Sequence, residues 1–153
     1  GYALNIFNGS VVEIVAAGTL QLAEQSGAAG SQFQPGTIGV FVGCSYTDPT
    51  SKNKTFSQHW PTGTVASDAM AYVVDDHRVL FQAQADGAST GSTTTGNSDS
   101  AIDASEVAAT NTFGFRIVDF VEGPDSTVGD AFTDLIIMFR PDGGHSYTNA
   151  TGI

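Results

Sequence analysis

Positive charge is scarce in this chain. Five Lys and Arg stand against 16 Asp and Glu among 153 residues, giving a formal net charge of −11. Lys52, Lys54, Arg78, Arg116 and Arg140 are too few and too scattered to neutralise a run of phosphates, which argues against nucleic acid as a partner. The same shortage argues against an anionic membrane surface. A single cysteine, Cys44, excludes an internal disulfide. No apolar run approaches the ~20 residues of a membrane-spanning helix. Charged residues of both signs make up only 14% of the chain, against about 25% in an average globular protein. The polar surface must then be made of Ser, Thr, Asn, Gln and Gly, a composition suited to strands and turns. No stretch of useful length repeats with the 3.6-residue period of a helix.

What is present is enough apolar material for one core. Apolar residues account for 41% of the sequence and include ten phenylalanines, so residues 1–153 read as a single β domain. Its organising stretch runs from Thr37 to Thr64 and holds the only cysteine, the only tryptophan and both lysines. Ile38, Val40 and Val42 alternate with Gly39 and Phe41 as in a strand. Asp48-Pro49 turns the chain, Thr55 to Trp60 reads as a returning strand, and Pro61 ends it because it has no N–H for a ladder.

On either side the same grammar continues. Asn5 to Leu22 reads as a hairpin turned at Ala16-Ala17-Gly18, with Asn8-Gly9 as another turn dipeptide. Ala69–Val74 and Val79–Ala85, separated by Asp75-Asp76-His77-Arg78, read as a second hairpin. In Thr112–Val121 the apolar phase switches from Phe115 and Ile117 to Val118 and Phe120, which predicts a bulge near Ile117-Val118. Leu135–Phe139 is apolar on both faces and should be the most enclosed strand. The expected core comprises Val40, Val42, Val73, Phe81, Phe115, Ile117, Leu135 and Ile137. The fold class that follows is all-β: one small antiparallel barrel or sandwich of eight to ten short strands with long loops. Residues 1–7 form an N-terminal arm, 86–106 a long Gly/Ser/Thr loop and 145–153 a tail.

Candidate chemistry is thin. Cys44 and His59 are the only conceivable thiol–imidazole pair, but no nucleophile signature surrounds them, and a small buried apolar side chain is the simpler role for Cys44. Asp75-Asp76-His77 lacks the spacing of a metal site, since adjacent strand-end residues point different ways. Three Asn-x-Ser/Thr matches, at Asn8, Asn53 and Asn149, read as turn residues. No catalytic residue, metal or cofactor is expected.

Several segments in order carry a family likeness: Ile6–Ile14 (IFNGSVVEI), Gly39–Thr50 (GVFVGCSYTDPT), Phe56–Thr64 (FSQHWPTGT), Ala71–Asp76 (AYVVDD), Phe81–Ala85 (FQAQA), Thr110–Val118 (TNTFGFRIV) and Gly129–Ile137 (GDAFTDLII). Together they resemble small head decoration, or cement, proteins of tailed bacteriophages. The chain departs from that pattern at Asp76-His77, where the family more often has Asp-Pro, and in its GPDSTVGD loop. The resemblance implies a non-enzymatic β-barrel on the outer capsid surface of the virion. Its implied partners are the major capsid protein and further copies of itself, as trimers. A rival of a different class is a carbohydrate- or receptor-binding β module of a phage fibre or tail.

Candidate interface residues are Tyr2, Leu4, Ile6 and Phe7 of the arm, Trp60 at a strand end, and Ile102, the one large aliphatic of the 86–106 loop. An arm of this kind can add as a strand to a partner's sheet edge.

Overall fold

A computed structural model describes residues 2–23, 25–26, 32–33, 37–85, 101–102, 114–130 and 132–140. In chain order its strands are β1 (Ile6–Phe7), β2 (Val11–Ile14), β3 (Leu20–Leu22), β4 (Gln25–Ser26), β5 (Gln32–Phe33) and β6 (Thr37–Thr47). There follow β7 (Lys54–Ser57), β8 (His59–Trp60), β9 (Met70–Val74), β10 (Phe81–Ala85), β11 (Ala101–Ile102), β12 (Phe115–Phe120) and β13 (Asp134–Phe139). The protein is all-β, with no helix among the described residues and mostly antiparallel pairing.

β6 is the spine. Its eleven residues carry no charge and are rich in β-branched and aromatic side chains, which favour a strand enclosed on both sides. One edge pairs first with β2, along Thr37–Val40, and then with β7, along Cys44–Thr47. The other edge pairs with β9 along Val40–Ser45. With β3 outside β2, these make a five-stranded sheet. β1 and β8 form a short antiparallel pair, Ile6 against Trp60, beside the point where β6 changes partner from β2 to β7.

A bulge at Val42 decides which side chains β6 buries. Phe41 opposes Val73 and Gly43 opposes Tyr72, so Val42 is an extra residue without a partner on β9. An inserted residue reverses the alternation beyond it. Phe41, Cys44 and Tyr46 therefore join one buried cluster with Ile6 and Val12, although simple alternation would separate Phe41 from the other two. Val42, expected in the core beside Val40, is 40% exposed for the same reason.

The second sheet has the order β11-β10-β13-β12, with β11 parallel to β10 and the other neighbours antiparallel. β13 lies inside it, and Leu135, Ile137 and Phe139 are buried. The bulge expected near Ile117-Val118 is present: Ile117 opposes Ile137 and Asp119 opposes Ile136, with Val118 skipped. Of the remaining expected core residues, Val40 is buried, while Val73, Phe81, Phe115 and Ile117 are half-buried.

Residues 69–85 are not the hairpin expected from their two runs of alternation. β9 pairs with β6 in the first sheet, and β10 pairs with β13 in the second. The turn at Asp76, where its carbonyl accepts the Val79 N–H (3.1 Å) and its Oδ1 the Arg78 N–H (2.9 Å), starts a crossover between sheets. The sheets meet at a cluster of Ala23, Val40 and Phe139, with Val11, Phe81 and Phe115 packed against it. Of the 86–106 loop, Ala101–Ile102 forms β11; the other residues of that loop and the 145–153 tail lie outside the described residues.

Candidate functional site

Cys44, the candidate thiol nucleophile, is built into the core. The bulge turns Cys44 inward, where its thiol donates to the His59 carbonyl oxygen at 3.4 Å. Burial raises the thiol's pKa above its ordinary value, which keeps it protonated. The His59 ring is engaged elsewhere: Nδ1 lies 3.2 Å from the Ser57 hydroxyl, and the ring stacks on Phe7 at 5.9 Å. Cys44 and His59 are thus close in space without forming a thiol–imidazole couple. No group of three or more His, Cys, Asp or Glu converges as a metal site would require, among the described residues.

The N-terminal arm is folded onto its own chain. Besides the β1–β8 pairing, the Gly63 N–H donates to the Tyr2 carbonyl (2.8 Å). The Thr62 N–H donates to Asn5 Oδ1 (2.7 Å) and the Thr62 hydroxyl to the Ala3 carbonyl (2.7 Å). The Tyr2 hydroxyl accepts the Leu22 N–H (3.1 Å). Ile6 is buried, and Trp60 is half-buried with its ring edge-on to Tyr46 at 5.0 Å. Of the proposed interface residues, Tyr2, Ile6 and Trp60 therefore serve the core, and Leu4 and Phe7 stay exposed. Ile102 sits in β11 at the edge of the second sheet. The arm is expected from sequence to add as a strand to a partner's sheet edge; here residues 6–7 pair with β8 of their own chain.

A surface that the sequence alone does not single out lies on the face of the five-stranded sheet that carries Val40, toward the Ser45 end, where side chains stand exposed. Once Cys44 and Tyr46 point inward, Ser45 must point outward. Its cross-strand neighbours are Phe56 on β7 and Met70 on β9. Phe56 is 74% exposed, Met70 62% and Tyr72 47%. The Tyr72 hydroxyl donates to Ser45 Oγ at 3.2 Å, fixing the ring over the buried serine. Phe56, Met70 and Tyr72 thus make an exposed apolar face, and exposed apolar patches mark interaction sites. Alternation alone could not expose it, because apolar strand residues read as core until the bulge is known.

One end of this face is closed by Asp68. Its Oδ1 accepts the Thr47 N–H (2.9 Å), and its Oδ2 accepts the Thr47 hydroxyl (2.7 Å) and Lys54 Nζ (2.9 Å). The Thr47 N–H, followed by Lys54, holds the carboxyl well below the usual carboxylate range. A depressed folded-state pKa adds stability that is present in full above the unfolded value near 4 and is lost as pH falls toward the folded value. The wild-type protein should therefore melt above Asp68→Asn at neutral pH, and the gap should narrow steadily as pH drops from about 4 to 2. Thermal melts of both proteins across that range measure it; a gap that stays constant would show that the carboxylate charge contributes nothing.

No protein-family model, curated protein or solved structure matches this chain.

Proposed function

We propose that this chain is a non-enzymatic structural protein that decorates the outer capsid of a tailed phage. In this reading it bridges neighbouring major capsid subunits and associates into trimers at the shell surface. The observation that carries the reading is the exposed apolar face of Phe56, Met70 and Tyr72 on a chain of net charge −11. Charge keeps free copies apart, whereas an apolar face gains on contact with a matching surface. The order of motifs described above supplies the capsid context. In fold terms the reading is an open sandwich, with the cluster around Val40 and Phe139 as the layer between its two sheets. A protein that binds only the assembled shell stabilises it by its own binding free energy, and many copies on one lattice add avidity.

Sedimentation with purified shells tests this directly. Expected is saturable co-sedimentation at a copy number commensurate with the shell protein, together with a higher shell melting temperature. A folded Phe56→Asp/Met70→Asp variant should bind at least about tenfold more weakly, a loss of about 1.4 kcal/mol. Absence of co-sedimentation by the wild type would overturn the assignment. The exposed rings of Phe56 and Tyr72 also suit a second reading, a glycan platform; glycan-array binding that Phe56→Ala abolishes, without shell binding, would favour it.

A further inference from the structure

The sheet edges in this protein are not equally protected. A free edge presents unpaired N–H and C=O groups, and proteins blunt such edges with short strands, charges, prolines or bulges. β3 has three residues and β11 two. β7 has four, beginning with Lys54, which is tied to Asp68. β12 carries the Val118 bulge together with Arg116 and Asp119. β9 has none of these devices. Its five residues, Met-Ala-Tyr-Val-Val, include no charge, proline or glycine. It pairs with β6 on one side only, and among the described residues no backbone group bonds its other side. Met70, Ala71 and Tyr72 are exposed.

We infer that the free edge of β9 is a receptor for an added β-strand from a partner protein. In such an addition, backbone hydrogen bonds extend the sheet beyond β9, and alternate partner side chains lie beside the exposed Met70 and Tyr72. Charge decides against a second copy as the occupant. A two-fold antiparallel pairing centred on Tyr72 would set Asp76 against Asp68 of the other copy at both ends, and directly opposed like charges are destabilising. Two chains of −11 also repel as whole bodies. The fitting occupant is an extended segment, uncharged and β-branched in its middle, with Lys or Arg at the end that meets Asp75-Asp76. The inference goes a step past the capsid reading and does not depend on it.

The probe is an acetylated, amidated peptide of sequence Lys-Lys-Thr-Val-Thr-Val-Thr, titrated into the full 153-residue chain and followed by backbone amide NMR. Expected are saturable shifts and slowed hydrogen exchange across residues 70–74. Two further peptides, N-methylated at alternate residues in opposite phase, separate strand addition from mere stickiness, because only one edge of the peptide faces β9. One phase should bind within about twofold of the parent and the other at least about tenfold more weakly. Replacing both Lys by Glu should also weaken binding, and Val118→Thr, at an exposed position of β12 in the other sheet, should leave it unchanged. Three outcomes would overturn the inference: no shift at millimolar peptide, equal binding of both methylated phases, or protection of residues 70–74 that rises with protein concentration without peptide. The last would make a second copy the occupant. Failure here leaves the shell sedimentation result untouched, so the two readings fall separately.

Discussion

Gly39→Ala is expected to destabilise the protein by about 3 kcal/mol or more, among the largest effects a single methyl group can have. Gly39 sits in β6 with φ +150°, where side chains are rarely accommodated. A Cβ at that position would overlap the Val74 carbonyl oxygen and lie 2.8 Å from the Val74 carbonyl carbon and 3.0 Å from Asp75 Cα. All three atoms are backbone, so no rotamer change relieves the clash. Relief requires β6 to move away from the end of β9, which breaks the Val40–Val74 register and presses Gly39 toward Val12 on the other edge. The total stability of a domain is about 5–15 kcal/mol, so a loss of this size is a large share of it. Gly63→Ala is the matched control. It has φ +71° with nothing within 4 Å of the added carbon, so it should cost only the left-handed conformation, about 1–2 kcal/mol. Chemical denaturation of the two variants measures the difference. Equal midpoints would mean that the close approach of β6 to β9 is absent in solution.

The same stretch shows what could be read from the sequence and what could not. In β12 the phase of apolar residues changes visibly between Ile117 and Val118, because side chains flank the insertion on both sides. The expected bulge is found there. In β6 the insertion at Val42 lies between Gly39 and Gly43, which have no side chains to reveal a change of phase. Ile38, Val40 and Val42 then mimic an unbroken strand, and Phe41 is left on the wrong side. That one hidden residue also concealed the exposed apolar face, since the directions of Ser45, Phe56 and Met70 all follow from it.

Pairing between distant segments was equally illegible. Alternation identifies β9 and β10 as strands but carries no information on which neighbour each one finds. β9 joins β6, and β10 joins β13, whose Ile137 lies opposite Phe81. The arm is a similar case. Asn5 and Thr62 are 57 residues apart in sequence, and their hydrogen bond helps hold the first residues on their own chain. Nothing local to residues 1–7 distinguishes that outcome from pairing with a partner.

Phe139→Ala should be the most damaging truncation where the two sheets meet, at about 3–5 kcal/mol. The ring is fully buried, edge-on to Phe81 at 5.8 Å and tilted against Phe115 at 4.9 Å. Aromatic pairs of this kind add about 0.5–1.5 kcal/mol beyond area burial. Phe115 is only half-buried, so its truncation leaves a smaller cavity and should cost less. The more informative quantity is coupling. Phe139 comes from the second sheet, whereas Val40 and Ala23 in its cluster come from the spine of the first sheet and the residue after β3. If that cluster joins the sheets, Phe139→Ala and Val40→Ala should be non-additive by about 0.5–3 kcal/mol. Hydrogen exchange in Phe139→Ala should also accelerate in β6, which Phe139 does not pair with, as well as in β10 and β12, which flank it. Exchange confined to the second sheet, with strictly additive energies, would mean that each sheet is stabilised by its own cluster, around Phe41 and Leu135 respectively, and that Phe139 packs across the boundary without coupling them.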